Sequence, residues 1–254
     1  MTMNRRHFFT GGALAVGATC LGRAESASPM EGHSDLLPDF KQGCRLLFQG
    51  DSITDMAWGR NEKDRNHYLG HSYVFLLCAR LGVEMPEAQL DFFNRGRSGH
   101  AVANLRKRWQ AEAVDMNPDL LSVLVGTNDA RMQVNPEELE RDYRFILTKS
   151  RKANPELRLV LMNPFLVQCG KYGDAQAYAP RRALIDRYCT VIESMAKDFN
   201  AVHIKLDQVF DEAAKRVGPA HWIWDGVHPL PQGHELIARE WLRAVIAKWP
   251  NRVR

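Results

Sequence analysis

Short apolar runs that alternate with longer helical patterns constrain the fold of this chain more than any other feature. The apolar runs predict five buried strands, near residues 45–49, 90–93, 120–125, 158–163 and 201–205. Helical patterns lie between and after them, near residues 68–82, 101–116, 136–153, 180–199, 207–216 and 232–248. Connections of this length join parallel strands by right-handed crossovers. The sequence therefore predicts an α/β protein, a three-layer α/β/α sandwich with a central five-stranded parallel sheet.

The first 27 residues have the layout of a signal peptide. Arg5 and Arg6 precede a Gly/Ala-rich apolar stretch that ends near Leu21, and small residues follow it. The segment Asn4–Thr10 resembles a twin-arginine export signal, with an ordinary secretory signal as the alternative. The apolar stretch is too short to span a bilayer, so no stable membrane insertion is expected. We predict a protein exported to a bacterial periplasm or beyond.

The rest of the chain is predicted to form one domain. Residues 28–43 are typical of a leader, and residues 44–254 contain no linker or internal repeat that would divide them. Three arginines and one glutamate lie in the first 26 residues, so their removal lowers the net charge from +4 to +2. A charge this small does not favour a nucleic-acid partner. The oligomeric state stays open, with a homo-oligomer as one alternative. The pairing of Cys44, Cys78, Cys169 and Cys189 also stays open, although Cys78 and Cys189 are expected to be buried free thiols.

Chemically versatile residues follow the first three predicted strands. Ser52, Gly96 and Asn128 each lie three residues beyond a predicted strand end. Ligands of open α/β sheets bind at the carboxyl ends of the strands, so these residues are expected to meet at one edge. Asp225 and His228 stand three residues apart in a turn-forming segment before the last helix. A serine, a histidine and an acid are thus available for one site.

These residue types are the ones that acyl transfer requires. Ser52 needs a base to take its proton, His228 can be that base, and Asp225 can hold the imidazole in one tautomer. The backbone N–H groups of Ser52 and Gly96 and the side-chain amide of Asn128 can form an oxyanion hole. Each residue alone also has a structural interpretation, since Ser52 and Asp225 are favoured helix caps.

A metal site is not expected. His221, His228 and His234 lack the i, i+4 helical spacing of zinc ligands, and no cysteine pair accompanies them. Glycine-rich phosphate loops are absent from the sequence, and the predicted chemistry needs no cofactor.

The chain resembles the SGNH (GDSL-type) hydrolase superfamily. The resemblance rests on four blocks, Gly50–Thr54, Gly96, Gly126–Asp129 and Asp225–Pro229. It implies a flavodoxin-like fold, with Ser52 as nucleophile, His228 as base, Asp225 as orienting acid, and Ser52, Gly96 and Asn128 as the oxyanion hole. Further segments are similar to bacterial acetylxylan esterases, namely Asp55 with Gly59-Arg60, Leu69–Val74, Arg108-Trp109 and Trp224-Asp225. Arg97 and residues 168–178 have no counterpart in that pattern.

The resemblance implies an esterase that removes acetyl groups from carbohydrate. We expect the substrate cleft to be bordered by the loop 164–179 and lined by Asp51, Trp58, Tyr172, Trp222 and Trp224. Two alternatives stay open. A lysophospholipase or thioesterase would act on longer acyl chains, although the loop is rich in Gly, Gln, Lys and Asp rather than apolar residues. A sugar-binding protein on an esterase scaffold would need neither the serine nor the histidine.

Overall fold

The computed structural model describes residues 37–251, which form a parallel sheet between two layers of helices. The strands are β1 (Arg45–Gly50), β2 (Asp91–Gly96), β3 (Leu120–Leu124), β4 (Arg158–Met162) and β5 (Val202–Ile204). Their order in the sheet is β2-β1-β3-β4-β5, and every neighbouring pair is parallel. The predicted five-stranded parallel sheet is therefore confirmed.

Helices cover both faces of the sheet. They are α1 (Ser52–Asp55), α2 (Tyr73–Glu84), α3 (Val102–Trp109), α4 (Thr127–Arg131), α5 (Pro136–Ala153), α6 (Ala175–Asp198), α7 (Leu206–Arg216) and α8 (Pro231–Lys248). A π-helical turn, Gln110–Val114, continues α3. Helix α2 packs against α8, whereas α5 packs between α3 and α6. The sheet is thus the middle layer of a three-layer α/β/α sandwich.

The strand order places a crevice at the end of β1. The chain passes from β1 outward to β2 and then returns across β1 to β3, so the direction of strand addition reverses there. Helices that follow neighbouring strands then lie on opposite faces, and a crevice opens at the carboxyl ends of the strands. The residues after β1, β2 and β3 border this crevice.

Aromatic side chains from four elements fill the interior behind the crevice. Phe48 of β1 packs edge-on against Tyr73 and is stacked on Phe92 of β2, with ring centroids 6.0 and 6.2 Å apart. Trp241 of α8 lies 5.7 Å from Phe48, and its indole nitrogen donates to the Ser122 hydroxyl at 3.0 Å. The buried indole N–H therefore has a partner, as burial of a polar group requires. This packing fixes β1, whose end carries Ser52.

Several predicted boundaries differ from the structure because of local hydrogen bonds. Helix α2 begins at Tyr73 rather than near residue 68, because the Ser72 side chain caps it by accepting from the Val74 N–H. Helix α6 begins at Ala175, capped by Asp174. The predicted substrate loop 164–179 is therefore shorter, and its last five residues are helical.

The chain before β1 packs on the end of the chain. The Asp39 N–H donates to the Trp249 carbonyl at 2.9 Å, and the Asn251 N–H donates to the Leu37 carbonyl at 2.8 Å. The last residues of the predicted leader 28–43 thus contact the domain. The predicted signal peptide, residues 1–27, lies outside the described residues. No helix between residues 37 and 251 is both long enough and apolar enough to cross a membrane.

Candidate active site

Ser52 is the first residue of α1, directly after the end of β1. Gly50 permits this abrupt turn, since a Cβ there would lie 2.4 Å from the Leu124 carbonyl oxygen of β3. The Ser52 hydroxyl oxygen lies 2.8 Å from Nε2 of His228. Serine and base are therefore within hydrogen-bonding distance in the folded chain.

Asp225 both folds its turn and orients the histidine. Its Oδ1 accepts the N–H groups of Val227 and His228 at 2.9 and 2.8 Å. Its Oδ2 lies 2.9 Å from Nδ1 of His228. With the Nδ1 proton directed at this carboxylate, Nε2 is left to accept a proton from Ser52.

The Asp225 carboxylate is strongly favoured in its ionised form. Burial alone would raise its pKa, but the hydrogen bonds from His228, Lys171 and Val227 more than offset burial, so the pKa lies well below its usual range. An ionised acid beside His228 is the state that stabilises an imidazolium during proton transfer.

Lys171 is a fourth residue at this site, and it is not among the site residues predicted from the sequence. It lies in a 3₁₀ turn, Gly170–Tyr172, within the loop between β4 and α6. Its Nζ donates to Oδ2 of Asp225 at 2.9 Å. The residue falls in the segment for which the family resemblance offered no counterpart, so only its place at the carboxyl edge pointed towards the site.

Gly96 does not offer a free backbone donor, contrary to our expectation. Its N–H donates to Oδ1 of Asn94 at 2.9 Å, and the residue is buried. A Cβ on Gly96 would lie 2.3 Å from the backbone nitrogen of Asp55. The glycine is needed for this close approach of β2 to α1, and its N–H is already engaged.

Gly99, three residues further along the chain, is the alternative candidate for a backbone donor. It has φ of +81°, and no atom lies within 4 Å of the Cβ that a larger residue would carry. Strand β2 ends at Gly96, three residues later than predicted, so Gly99 is the residue three positions beyond the strand end. Within residues 37–251, no acceptor is found for its N–H. Gly99 is therefore an exposed glycine after β2 whose N–H has no partner among the described residues.

The loop that carries Gly99 is tied to a buried acid. Ser98 donates its backbone N–H and its hydroxyl to Oδ2 of Asp55, each at 2.8 Å. Arg60 donates to both oxygens of the same carboxylate at 2.8 and 2.7 Å. Charge-assisted bonds of this kind are stronger than neutral ones and hold the loop in one position.

Asn128 lies on the other side of this loop. It belongs to the first turn of α4, and its side-chain amide donates to the His100 carbonyl at 3.1 Å. An amide nitrogen has two donors, so a second N–H is left for a ligand. Ser52, Gly99 and Asn128 thus replace Ser52, Gly96 and Asn128 as the candidate oxyanion-hole donors.

Three of the five residues expected to line the cleft are buried. Asp51 is 1% exposed, and its Oδ1 caps α1 by accepting the Ile53 N–H at 3.0 Å. Trp58 donates its indole N–H to the Gly96 carbonyl at 2.8 Å, and Arg60 covers its ring. Tyr172 is 7% exposed. The prediction that these side chains contact substrate is corrected, because they support the site from the interior.

The two remaining tryptophans lie in different surroundings. Trp222 is half-buried and donates to the Ala213 carbonyl at 3.1 Å. It lines a cavity of about 730 Å³ formed by β5, α7 and α8, and Ser52 and His228 are not part of that cavity's lining. Trp224 is 63% exposed and directly precedes Asp225. Trp224 is therefore an exposed aromatic side chain next to Asp225.

This arrangement is that of a serine hydrolase. A hydroxyl, an imidazole and a carboxylate, the candidate triad of Ser52, His228 and Asp225, are joined in this order at the carboxyl edge of a parallel sheet. Between residues 37 and 251 no group of three or more histidine, cysteine or acidic side chains is arranged to hold a metal ion.

Comparison with known proteins agrees with this class. Residues 48–236 match the GDSL-like lipase/acylhydrolase family, and the chain belongs to it. An acetylxylan esterase of Geobacillus stearothermophilus is 32% identical over 219 residues, which cover 82% of this chain and 96% of that protein. The protein described here is a carboxylic ester hydrolase.

Solved structures are similar over the same region. A GDSL-like lipase from Parabacteroides merdae is 30% identical with a TM-score of 0.77, covering 82% of this chain and 98% of the other. The acetylxylan esterase structure from G. stearothermophilus is 30% identical with a TM-score of 0.72, covering 81% and 95%. The SGNH-type α/β fold expected from the sequence is thereby confirmed.

Proposed function

We propose that this protein removes acetyl groups from carbohydrate through an acetyl-enzyme on Ser52. The observation that carries the proposal is the continuous contact from Ser52 Oγ to His228 Nε2 at 2.8 Å and from His228 Nδ1 to Asp225 Oδ2 at 2.9 Å. Such contacts make a weak nucleophile reactive, because the base is already positioned to accept its proton.

Hydrolysis then proceeds in two halves. Ser52 Oγ attacks the acetyl carbonyl while His228 takes its proton, and the carbonyl oxygen becomes negatively charged. The N–H groups of Ser52 and Gly99 and the amide of Asn128 stabilise that charge. His228 returns the proton to the sugar oxygen as the C–O bond breaks. Water, deprotonated by His228, then attacks the acetyl-enzyme and releases acetate and free Ser52.

The shape of the site supports a short acyl group. Five residues of the loop between β4 and α6 are exposed, and none has an apolar side chain: Gln168, Gly170, Lys171, Gly173 and Asp174. Such a loop gives a long acyl chain no apolar surface to bury, so little binding energy is available beyond a few carbons. This favours acetyl over the longer chains of a lysophospholipase or thioesterase.

The carbohydrate part of the proposal rests on two supports. The relative named above is an acetylxylan esterase, and this chain covers 96% of its length at 32% identity. Trp224 is exposed beside the triad acid and presents an aromatic face on which an apolar sugar face can stack. Acetylated xylo-oligosaccharides are therefore the substrates to examine first.

A chain-length series tests the proposal. Rates on p-nitrophenyl acetate, butyrate and octanoate should fall steeply beyond butyrate, and acetate should be released from acetylated xylo-oligosaccharides. Equal or higher rates on octanoate would favour the lysophospholipase alternative. Binding of the oligosaccharide without any acetate release would favour the sugar-binding alternative.

We also propose that the protein is exported by the twin-arginine route. The support is sequence alone, namely Arg5-Arg6 followed by an apolar stretch. Expression in a bacterium should yield a shortened protein outside the cytoplasm, and replacing both arginines by lysine should block its export. Unchanged export of the double variant would indicate an ordinary secretory signal.

A further inference from the structure

We propose that Lys171 is a positioning residue of the triad, which holds the Asp225 carboxylate and through it keeps the imidazole of His228 in the orientation that proton transfer from Ser52 needs. The inference rests on the proposed function, because it takes His228 to be the base. It adds a fourth residue, specific to the loop of this chain, to the predicted serine, histidine and acid.

Lys171 contacts the same oxygen of Asp225 that His228 contacts. Lys171 Nζ and His228 Nδ1 both lie 2.9 Å from Oδ2 of Asp225, so the two nitrogens are within about 6 Å of each other. The Lys171 side chain is 52% exposed and the Asp225 side chain 11%. An ammonium group that shares a mostly buried carboxylate with the imidazole therefore influences both.

The loop around Lys171 is locked onto the turn of the triad acid. Gly170 has φ of +53°, and a Cβ there would lie 2.5 Å from Cα of Asp225. The Val167 N–H donates to the Gly226 carbonyl at 3.0 Å. The Cys169 thiol donates to the Ile223 carbonyl, also at 3.0 Å. Contacts on both sides of Lys171 thus fix the direction from which its side chain approaches Asp225. A lysine in an unconstrained surface loop would lack this restraint.

One oxygen of the Asp225 carboxylate is shared by two side-chain nitrogens. Lys171 Nζ and His228 Nδ1 both contact Oδ2, and the Lys171 hydrogen bond is one of the causes that lower the pKa of Asp225. A charge-assisted bond of this kind holds a carboxylate more firmly than a neutral one. Without Lys171 the carboxylate loses this restraint, and the imidazole that it orients is held less firmly towards Ser52.

Other titratable groups near the pair do not take the place of the lysine. Burial lowers the pKa of His234 on α8 to about 3, so it is neutral where esterases work, and His71 and His228 lower it further. Burial raises the pKa of Cys169, so its thiol stays protonated. Within residues 37–251, Lys171 is the one lysine or arginine whose side chain contacts the Asp225 carboxylate.

The test is the measurement of kcat and KM for p-nitrophenyl acetate in four proteins. The wild type is compared with Lys171→Met, which removes the charge, and Lys171→Arg, which retains it. Lys152→Met is the matched control, since Lys152 is an exposed lysine at the carboxyl end of α5, which leads to the opposite edge of the sheet. Thermal unfolding of each variant shows whether the fold is kept, and Lys171→Gln replaces the methionine variant if that one fails to fold.

We expect Lys171→Met to lower kcat about 2–10-fold with little change in KM, the loss that corresponds to one hydrogen bond. Lys171→Arg and Lys152→Met should follow the wild type, and about 1 M salt should reduce the difference because the side chain is half-exposed. A folded Lys171→Met with the wild-type kcat, or an equal loss of kcat in Lys152→Met, would overturn the inference while leaving the esterase intact. A wild type that hydrolyses no ester would instead contradict the proposed function.

Discussion

The side-chain amide of Asn128 donates a hydrogen bond to the carbonyl oxygen of His100 at 3.1 Å. This bond joins the first turn of α4 to the loop after β2, the loop that carries Gly99. It fixes the plane of the amide before any substrate arrives. Preorganised donors of this kind stabilise a developing oxyanion without having to reorient during the reaction.

Asn128→Ala should therefore lower kcat and leave KM nearly unchanged. Loss of one oxyanion donor lowers kcat by about 10²–10³. The ground-state carbonyl makes a weaker bond to the same donor, so binding is little affected. Steady-state kinetics and urea unfolding on one preparation measure both effects.

Arg131→Ala is the matched control for this position. Arg131 donates to Oδ1 of Asn128 at 3.4 Å, so its removal leaves the amide donors in place. We expect its kcat to stay close to that of the wild type. If folded Asn128→Ala keeps the wild-type kcat and only loses stability, Asn128 is a structural residue and the oxyanion assignment fails.

Trp224→Ala should weaken oligosaccharide hydrolysis selectively. An aromatic stacking contact contributes about 0.5–1.5 kcal/mol, which corresponds to a KM for acetylated xylo-oligosaccharide about 2–10-fold higher. The KM for ethyl acetate should not change, since that ester has neither a sugar nor an aromatic ring to stack on the indole. Phe145→Ala, which removes an exposed aromatic ring from the middle of α5, should alter neither value. Equal effects of Trp224→Ala on both substrates would remove Trp224 from sugar binding.

Asp51 should make the protein less stable as the pH rises. Burial raises its pKa to about 7, so the folded chain holds this proton more tightly than the unfolded chain, where an aspartate has a pKa of about 4. Its contribution to stability is fully present below pH 4 and is lost as the pH rises through 7. Asp51→Asn retains an oxygen for the Ile53 N–H and removes the ionisation.

The free energies of unfolding of the wild type and of Asp51→Asn are compared at pH 5 and at pH 8. Between pH 5 and pH 8, Asp51→Asn should gain stability relative to the wild type, on the order of 1–3 kcal/mol. Asp129, whose pKa burial raises to about 6, is present in both proteins, and its charge adds to the rise in the pKa of Asp51. A relative stability independent of pH would show that Asp51 is ionised throughout this range.

The arrangement of strands and the residues Ser52, Asp225 and His228 could be predicted because each depends on local signals. Alternating apolar runs specify parallel strands, and the hydroxyl, acid and imidazole stand close to strand or helix ends. The structure brings these three side chains together as expected, within 2.9 Å for each contact.

The exact end of β2 could not be predicted, and this moved the candidate donor from Gly96 to Gly99. The strand continues through Asn94 to Gly96. The side-chain amide of Asn94 is buried there and donates hydrogen bonds to the carbonyls of Thr54 and Leu69 at 2.7 and 2.9 Å. A polar residue with partners distant in sequence has no local signature as part of a strand.

Lys171 and Asp51 were misjudged for a similar reason. The contact of Lys171 with Asp225 joins residues 54 positions apart through an irregular loop. Asp51 is polar and next to Ser52, yet it points into the interior as the cap of α1. Neither loop conformation nor the direction of a capping side chain follows from periodicity.

The most direct measurement is covalent labelling of the wild type and of Ser52→Ala by a fluorophosphonate, read by intact mass and peptide mapping, with p-nitrophenyl acetate hydrolysis on the same samples. The wild type should gain one adduct on the peptide that contains Ser52 and lose its activity in proportion. Ser52→Ala should gain none and hydrolyse no ester above background, with an unfolding temperature close to that of the wild type. A folded Ser52→Ala that keeps substantial esterase activity, or an adduct on another residue that abolishes activity, would contradict Ser52 as the nucleophile.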